Sequence, residues 1–250
     1  MQPDMTRDST LDGVPERLVQ AATGLLAELG PSAIKARTVA SAAGLSTMAV
    51  YHHFGGIPEL TRAVIDRGFK DLDRAFSRLC PTDDPIADLA VHALVCRQVA
   101  RQNPHLYDLM FGLSARATYR PPRDPGIRPS GSSPSFRNVY AHFKTACTRL
   151  VNSGRVRPQD PDVVAAQLWS FVHGVITLEL AEALVECDDP ARHVLLPMGV
   201  NLSVGLGDTR ERAQASHETA ARRYEATTQK LKQDLRSSGA SHRSPRCERR

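Results

Sequence analysis

Apolar residues along this chain recur at spacings of three and four. No segment alternates with a period of two for long enough to build a sheet, so the periodicity requires an all-α fold. Proline and glycine mark the joints. Pro15 stands where a first helical residue is favoured, and Leu18, Val19, Ala22, Leu25, Leu26 and Leu29 follow until Gly30-Pro31, predicting a helix over 15–29. A short helix over 36–43 stops at Gly44. Another opens after Ser46, a good N-cap residue, and ends at Phe54-Gly55-Gly56. Pro58 begins a fourth helix that carries Leu60, Val64, Phe69, Leu72, Phe76 and Leu79 towards Pro81.

The second half continues in helices. These are Pro85 to Asn103, a short one from Pro104 through Leu113, Phe136 to Val151, Asp162 to Val185 and Arg192 to Leu206. Residues 114–134 are crowded with Pro, Gly, Ser and Arg and read as a loop. The segment 162–185 is apolar on most of its circumference, and 192–206 is similar. A helix apolar on more than one side must bury more than one side, so both are candidates for core and subunit interface together.

Charge excludes one easy argument. The net charge is +5, but residues 208–250 hold eleven Lys or Arg against six Asp or Glu, while residues 1–207 hold twenty-one of each. Basicity therefore resides in a tail with charge on every face and no steady apolar stripe, expected to form a frayed helix with a loose end or to be disordered. The five cysteines are odd in number and far apart, which supports neither a disulfide framework nor a zinc site. The polar opening has no signal-peptide pattern and no apolar run reaches the roughly 18 residues of a membrane span, so a soluble cytoplasmic protein without membrane contact is expected.

The segment Val39 to Phe54, VASAAGLSTMAVYHHF, carries the functional argument. Two helices crossing steeply need a small residue at the contact, here Ala40, and a turn that tolerates positive φ, here Gly44. Val39, Leu45 and Val50 pin the second helix from beneath. This spacing is that of a helix-turn-helix. No acid/base pair, Ser-His-Asp order, phosphate loop or metal spacing supports catalysis, and no cofactor or metal is expected.

Residues 15–79 resemble the DNA-binding domain of the TetR family of repressors. The resemblance rests on an amphipathic helix ending in Leu-Gly, Arg37-x-Val39-Ala40-x-x-Ala43-Gly44-Leu45-Ser46, Val50-Tyr51-x-His53-Phe54, and Glu59-Leu60. Two positions depart from the family pattern. Lys35 replaces the usual Thr at the start of the second helix, and Ile57 replaces a phosphate-binding Lys. The resemblance implies that the third helix enters the major groove of a double-stranded operator, with Ser46, Thr47, Met48, Ala49, Tyr51, His52 and His53 on its exposed face. Tyr51 and His53 suit phosphates, Thr47 and His52 suit bases, Met48 suits a thymine methyl, and Arg37 can reach a phosphate or base. Few positive charges on this face imply a shallow salt dependence.

Residues 85–206 resemble the carboxy-terminal domain of a TetR subgroup named for Trp, His and Gly, which Trp169, His173 and Gly174 supply. That likeness implies a homodimer through helices 162–186 and 192–206 and a pocket for a small-molecule inducer. Leu106, Tyr107, Met110, Phe111 and Phe143 are candidate lining residues, together with Trp169, Phe171, Val172, His173 and Ile176. Such a lining favours a lipophilic or aromatic ligand. Each of these positions can equally be plain core. The expected organisation is a disordered lead (1–14), a helix-turn-helix domain (15–57), a linking helix (58–80), a helical ligand-binding and dimerisation domain (81–207) and the charged tail (208–250). The alternatives are a regulator with no inducer and an architectural DNA-binding protein that uses its basic tail.

Overall fold

The computed structural model describes residues 13–111 and 133–240, the side chains of 230–240 excepted. Most of the expected lead, nearly all of the 114–134 loop and the tail end 241–250 lie outside the described residues. Every regular element among the described residues is helical. Helices α1 (Gly13–Leu29), α2 (Ala36–Ala42) and α3 (Thr47–Phe54) form the first unit, and α4 (Ile57–Ser77) leads out of it. The second is built from α5 (Pro85–Gln102), α6 (Pro104–Phe111), α7 (Pro134–Asn152), α8 (Pro161–Leu180) and α9 (Leu196–Leu206), with α10 (Arg210–Ala240) laid across α5 and α9.

One core runs through both units. Leu18, Leu26, Val39, Val50 and Leu60 close the first and are fully buried; Phe69, Phe76, Met110 and Phe143 continue it into the second. Helix α4 belongs to both, packing on α1 at one end and on α7 along its length. Glycine makes one of these approaches possible. A Cβ on Gly68 of α4 would stand 2.6 Å from Met110 Sδ and 3.3 Å from Leu106 on α6, so α4 and α6 meet where a side chain is missing.

The tail is helical, one of the two forms expected, but its first turns are docked rather than loose. Residues 210–240 form a helix whose first turns are seated on the body: Ala213, Ser216, His217 and Ala220 are buried, and Tyr224 donates to Gln98 Oε1 at 2.8 Å. Its contact face is small and polar rather than apolar, so hydropathy periodicity does not register it. Ion pairs hold it. Asp84 caps α5 by accepting from the amides of Ile86 and Ala87, each at 3.1 Å, and also receives Arg155 at 2.7 Å and Ser216 Oγ at 2.6 Å. One turn on, Asp88 receives Arg223 of α10 at 2.8 Å and Arg149 of α7 at 2.9 Å. Burial pushes the Asp88 carboxyl up, but hydrogen bonds from Arg223, Thr82 and Arg149 outweigh it and hold it below the usual carboxylate range.

Two further boundaries differ. Helix α8 stops at Leu180 rather than near 185, and Glu182 takes a left-handed φ of 57° in the turn that follows. The expected helix from 192 begins instead as a π-turn over Ala191–Leu195, in which the Leu196 N–H reaches back to Ala191 O, and Pro197 then stands in the first turn of α9. By length and composition α8 could cross a membrane, with a mean hydropathy of 1.5 over its most apolar window, of which a third is buried within the protomer.

Candidate nucleic-acid interface and aromatic cluster

The α2–α3 turn is built from the residue types its geometry demands. Gly44 adopts φ 65°, and Leu45 N–H returns to Ala40 O at 2.8 Å, wrapping the end of α2. Arg17 of α1 donates from Nη2 to Ala43 O at 2.6 Å and so ties the turn to the first helix. Sequence reasoning missed Arg17, which shows no local signal beyond lying on an amphipathic helix. Lys35 at the N-cap of α2 makes no side-chain capping bond; what remains is the reciprocal half of a capping box, in which its own backbone N–H is received by Thr38 Oγ1 at 3.2 Å.

Helix α3 opens after Ser46, whose backbone is extended and whose hydroxyl makes no capping bond. It closes at Gly55, with φ 72° and an N–H bonded to Tyr51 O at 2.9 Å. Val50 is fully buried and anchors the helix, while Met48 is 71% and Tyr51 51% exposed. Ser46, Thr47, Met48, Tyr51 and His52 all face outward, and Arg37 is exposed on α2. None of their side chains is hydrogen-bonded among the described residues. Ala49 and His53 are half-buried, and Ala49 packs against the core, so these two lie at the edge of the outward face. The His52 and His53 rings meet edge to face at 4.8 Å.

The expected lining residues divide into three groups and one lone residue, Ile176. Tyr107 and Phe111 of α6, Phe143 of α7, and Trp169 and His173 of α8 come together as rings. His173 lies 4.2 Å from Trp169, 4.3 Å from Phe111 and 5.6 Å, stacked, from Tyr107, while Phe143 meets Trp169 edge-on at 5.3 Å. Leu106 and Met110 turn towards α4 and straddle Gly68. Phe171 and Val172 line a small void of about 40 Å³ against α9 and His217, a void that Phe143 also borders. Ile176 is fully buried. Two aromatics of α7 that sequence reasoning did not single out, Phe136 and Tyr140, complete the ring shell around Trp169 at 6.0 and 5.2 Å. Their spacing of four on a helix was the available signal.

The Tyr107 hydroxyl and His173 Nδ1 are hydrogen-bonded at 2.5 Å, and His173 Nε2 is buried with no partner among the described residues. Burial drives the His173 pKa down to about 3, so the ring is neutral, and burial pushes the nearby Cys96 thiol up to about 12 and the Tyr107 phenol higher still. The larger opening lies elsewhere. A cleft of about 270 Å³ runs between α4, α5 and α7, with Arg223 of α10 at its edge.

Comparison with known proteins gives the lineage. Residues 18–64 match the family described as "Bacterial regulatory proteins, tetR family", and residues 89–196 match "Tetracyclin repressor-like, C-terminal domain". Together these matches span well over half the chain. No curated protein matches it significantly. Among solved structures, a protein of unknown function from Rhodococcus sp. RHA1 is similar at 21% identity and a TM-score of 0.64, covering 83% of this chain and all of its own. RolR bound to resorcinol is similar at 17% identity and a TM-score of 0.59, covering 86% of this chain and 97% of its own. CprB of S. coelicolor A3(2), a TetR family protein, is similar at 18% identity and a TM-score of 0.57, covering 84% and 96%. At these identities the likeness establishes the fold. With a helix-turn-helix and a carboxy-terminal helical domain that each match the same lineage, the chain belongs to the TetR family of DNA-binding transcriptional regulators.

Proposed function

We propose that this regulator is a repressor that binds a palindromic operator as a homodimer and is released by a small lipophilic or aromatic ligand. The observation that carries the reading is the outward face of α3, where Thr47, Met48, Tyr51 and His52 stand exposed with no side-chain hydrogen bond among the described residues while Val50, with Ala49 and Phe54 beside it, anchors the helix to the core. Such a face suits base edges and phosphates in a major groove.

The dimer reading draws on α8 and α9. Val163, Ala166, Ser170, Gly174 and Leu178 are exposed along one stripe of α8, and Met198 and Gly205 are exposed on α9. A Cβ on Gly174 or Gly205 would meet nothing within 4 Å, so both stripes have room for the helices of a second protomer. We read α8's apolar exposure as this seam rather than as a lipid contact. The basic-tail alternative is weaker, since Arg223 is already engaged by Asp88.

The ligand reading draws on the ring cluster and on the unpartnered His173 Nε2 within it. A phenolic hydroxyl can donate or accept, so it can serve His173 Nε2 in either tautomer. The rings of Phe111 and Trp169 would flank its aromatic body. RolR, similar in fold, was solved with resorcinol, an aromatic diol. Helix α6 links the two ends of the device, carrying Tyr107 on the cluster side and Leu106 and Met110 against α4. A ligand that shifts α6 would change the separation of the two α3 helices from the roughly 34 Å between successive major grooves. DNA and ligand would then weaken each other by the same factor.

Selection of bound duplexes from a random pool by the full chain tests the core of this reading. Enrichment of a palindrome is expected; a pool without consensus contradicts it.

A further inference from the structure

We infer that the cleft between α4, α5 and α7 is a second ligand site, separate from the Tyr107–His173 cluster, and that it takes a planar aromatic monocarboxylate. The inference does not rest on the operator reading.

The walls favour a flat ring. Phe76 of α4 meets His92 of α5 edge-on at 4.7 Å and His142 of α7 at 5.9 Å, and all three line the cleft. Leu79 and Val91 supply apolar surface between them. His92 ties its Nδ1–H to Asp88 O at 2.7 Å, and burial pushes its pKa down, so it contributes a neutral ring. Asp73, bonded to His142 Nε2 at 2.8 Å, is not part of the lining.

The edge favours a negative charge. Arg149 and Arg223 both line the cleft and both bind Asp88, and two guanidiniums against one carboxylate leave one positive charge. Each guanidinium carries five N–H groups. Arg223 uses Nη1 for Asp88 and Nη2 for Cys80 O, while Arg149 uses Nη1 for Asp88 and Nη2 for Thr82 O. The Nε–H of each is unbonded among the described residues, so a carboxylate can be received without displacing Asp88. Because Arg223 comes from α10 and Arg149 from α7, an occupant would join the carboxy-terminal helix to the body of the domain.

Isothermal titration of the full chain with 2-naphthoate, and with 2-naphthamide as its neutral isostere, tests this. The acid is expected to bind saturably, one per chain and about tenfold tighter than the amide, the margin between a charge-assisted and a neutral hydrogen bond. Thr145→Trp, which places an indole from an exposed position of α7 into the cleft, should abolish binding of both; Ala141→Trp provides a second filling variant. Arg223→Gln should bring the acid down to the amide's affinity and leave the amide unchanged. Equal affinity for acid and amide in the parent chain overturns the inference, as does unaltered binding in a folded cleft-filling variant or the absence of saturable binding.

Discussion

The Tyr107 hydroxyl and His173 Nδ1 lie 2.5 Å apart, joining α6 to α8 inside a shell of aromatic rings. Tyr107 is 1% exposed and its partner nitrogen is shut off from water. Tyr107→Phe removes the hydroxyl without opening a large void and strands that nitrogen. The fold should lose about 1–3 kcal/mol, the cost of an unmade buried hydrogen bond, read as a lower urea midpoint at unchanged slope.

Acid should weaken the protein well before its carboxylates titrate. His173 is neutral in the fold down to about pH 3, and burial also lowers the pKa of His92 and His217, whereas an unfolded histidine takes up a proton near pH 6.5. Below that pH the unfolded chain binds protons that the native chain refuses. Stability is therefore fully present above about pH 6.5 and falls as pH drops towards 3, by up to about 1.4 kcal/mol per pH unit for His173 alone. Urea unfolding at a series of pH values should show this decline, and His173→Leu should make it shallower, leaving the part due to His92 and His217.

The docking of α10 depends on one missing side chain. A Cβ on Gly199 of α9 would stand 2.4 Å from His217 Nε2, and that ring is buried with its Nδ1 bonded to Ala213 O at 2.8 Å, so it cannot swing aside freely. Gly199→Ala should cost about 1–3 kcal/mol, concentrated in the α9–α10 contact. Amide exchange should accelerate over 210–224 and stay unchanged in α1 to α3.

Gly174 offers the opposite case. Nothing lies within 4 Å of its Cβ position, so Gly174→Arg has room in a single protomer and improves helix propensity by about 1 kcal/mol. On the proposed seam it places a charge from each protomer where a partner helix must close. Dimerisation should weaken by about a hundredfold, roughly 3 kcal/mol, with full helicity retained. Sedimentation and circular dichroism together check this outcome.

The helix-turn-helix was readable because local geometry dictates its residue types. Positive φ at Gly44, the small contact at Ala40 and the buried anchor at Val50 each leave a mark within a dozen positions. The seat of α10 was not, because its contact face is Ala213, Ser216, His217 and Ala220 and its strongest ties reach back more than a hundred residues to Asp84 and Asp88. The aromatic residues of the ring cluster could be named from their helical spacing. Which rings meet could not, since the Tyr107–His173 pairing joins residues 66 positions apart. The cleft left no pattern at all: Phe76, His92, Arg149 and Arg223 come from four different helices and acquire a common purpose only once those helices are packed.

The central claim is that α3 is the element that reads DNA. Fluorescence anisotropy of the full chain and of Tyr51→Ala on labelled duplexes tests it most directly, because Tyr51 is half-exposed and its hydroxyl has no partner among the described residues. Affinity should fall for every duplex by about 1–3 kcal/mol, as expected for a lost phosphate-directed hydrogen bond, with the order of preference among duplexes retained. Unchanged affinity in the folded variant would contradict the account.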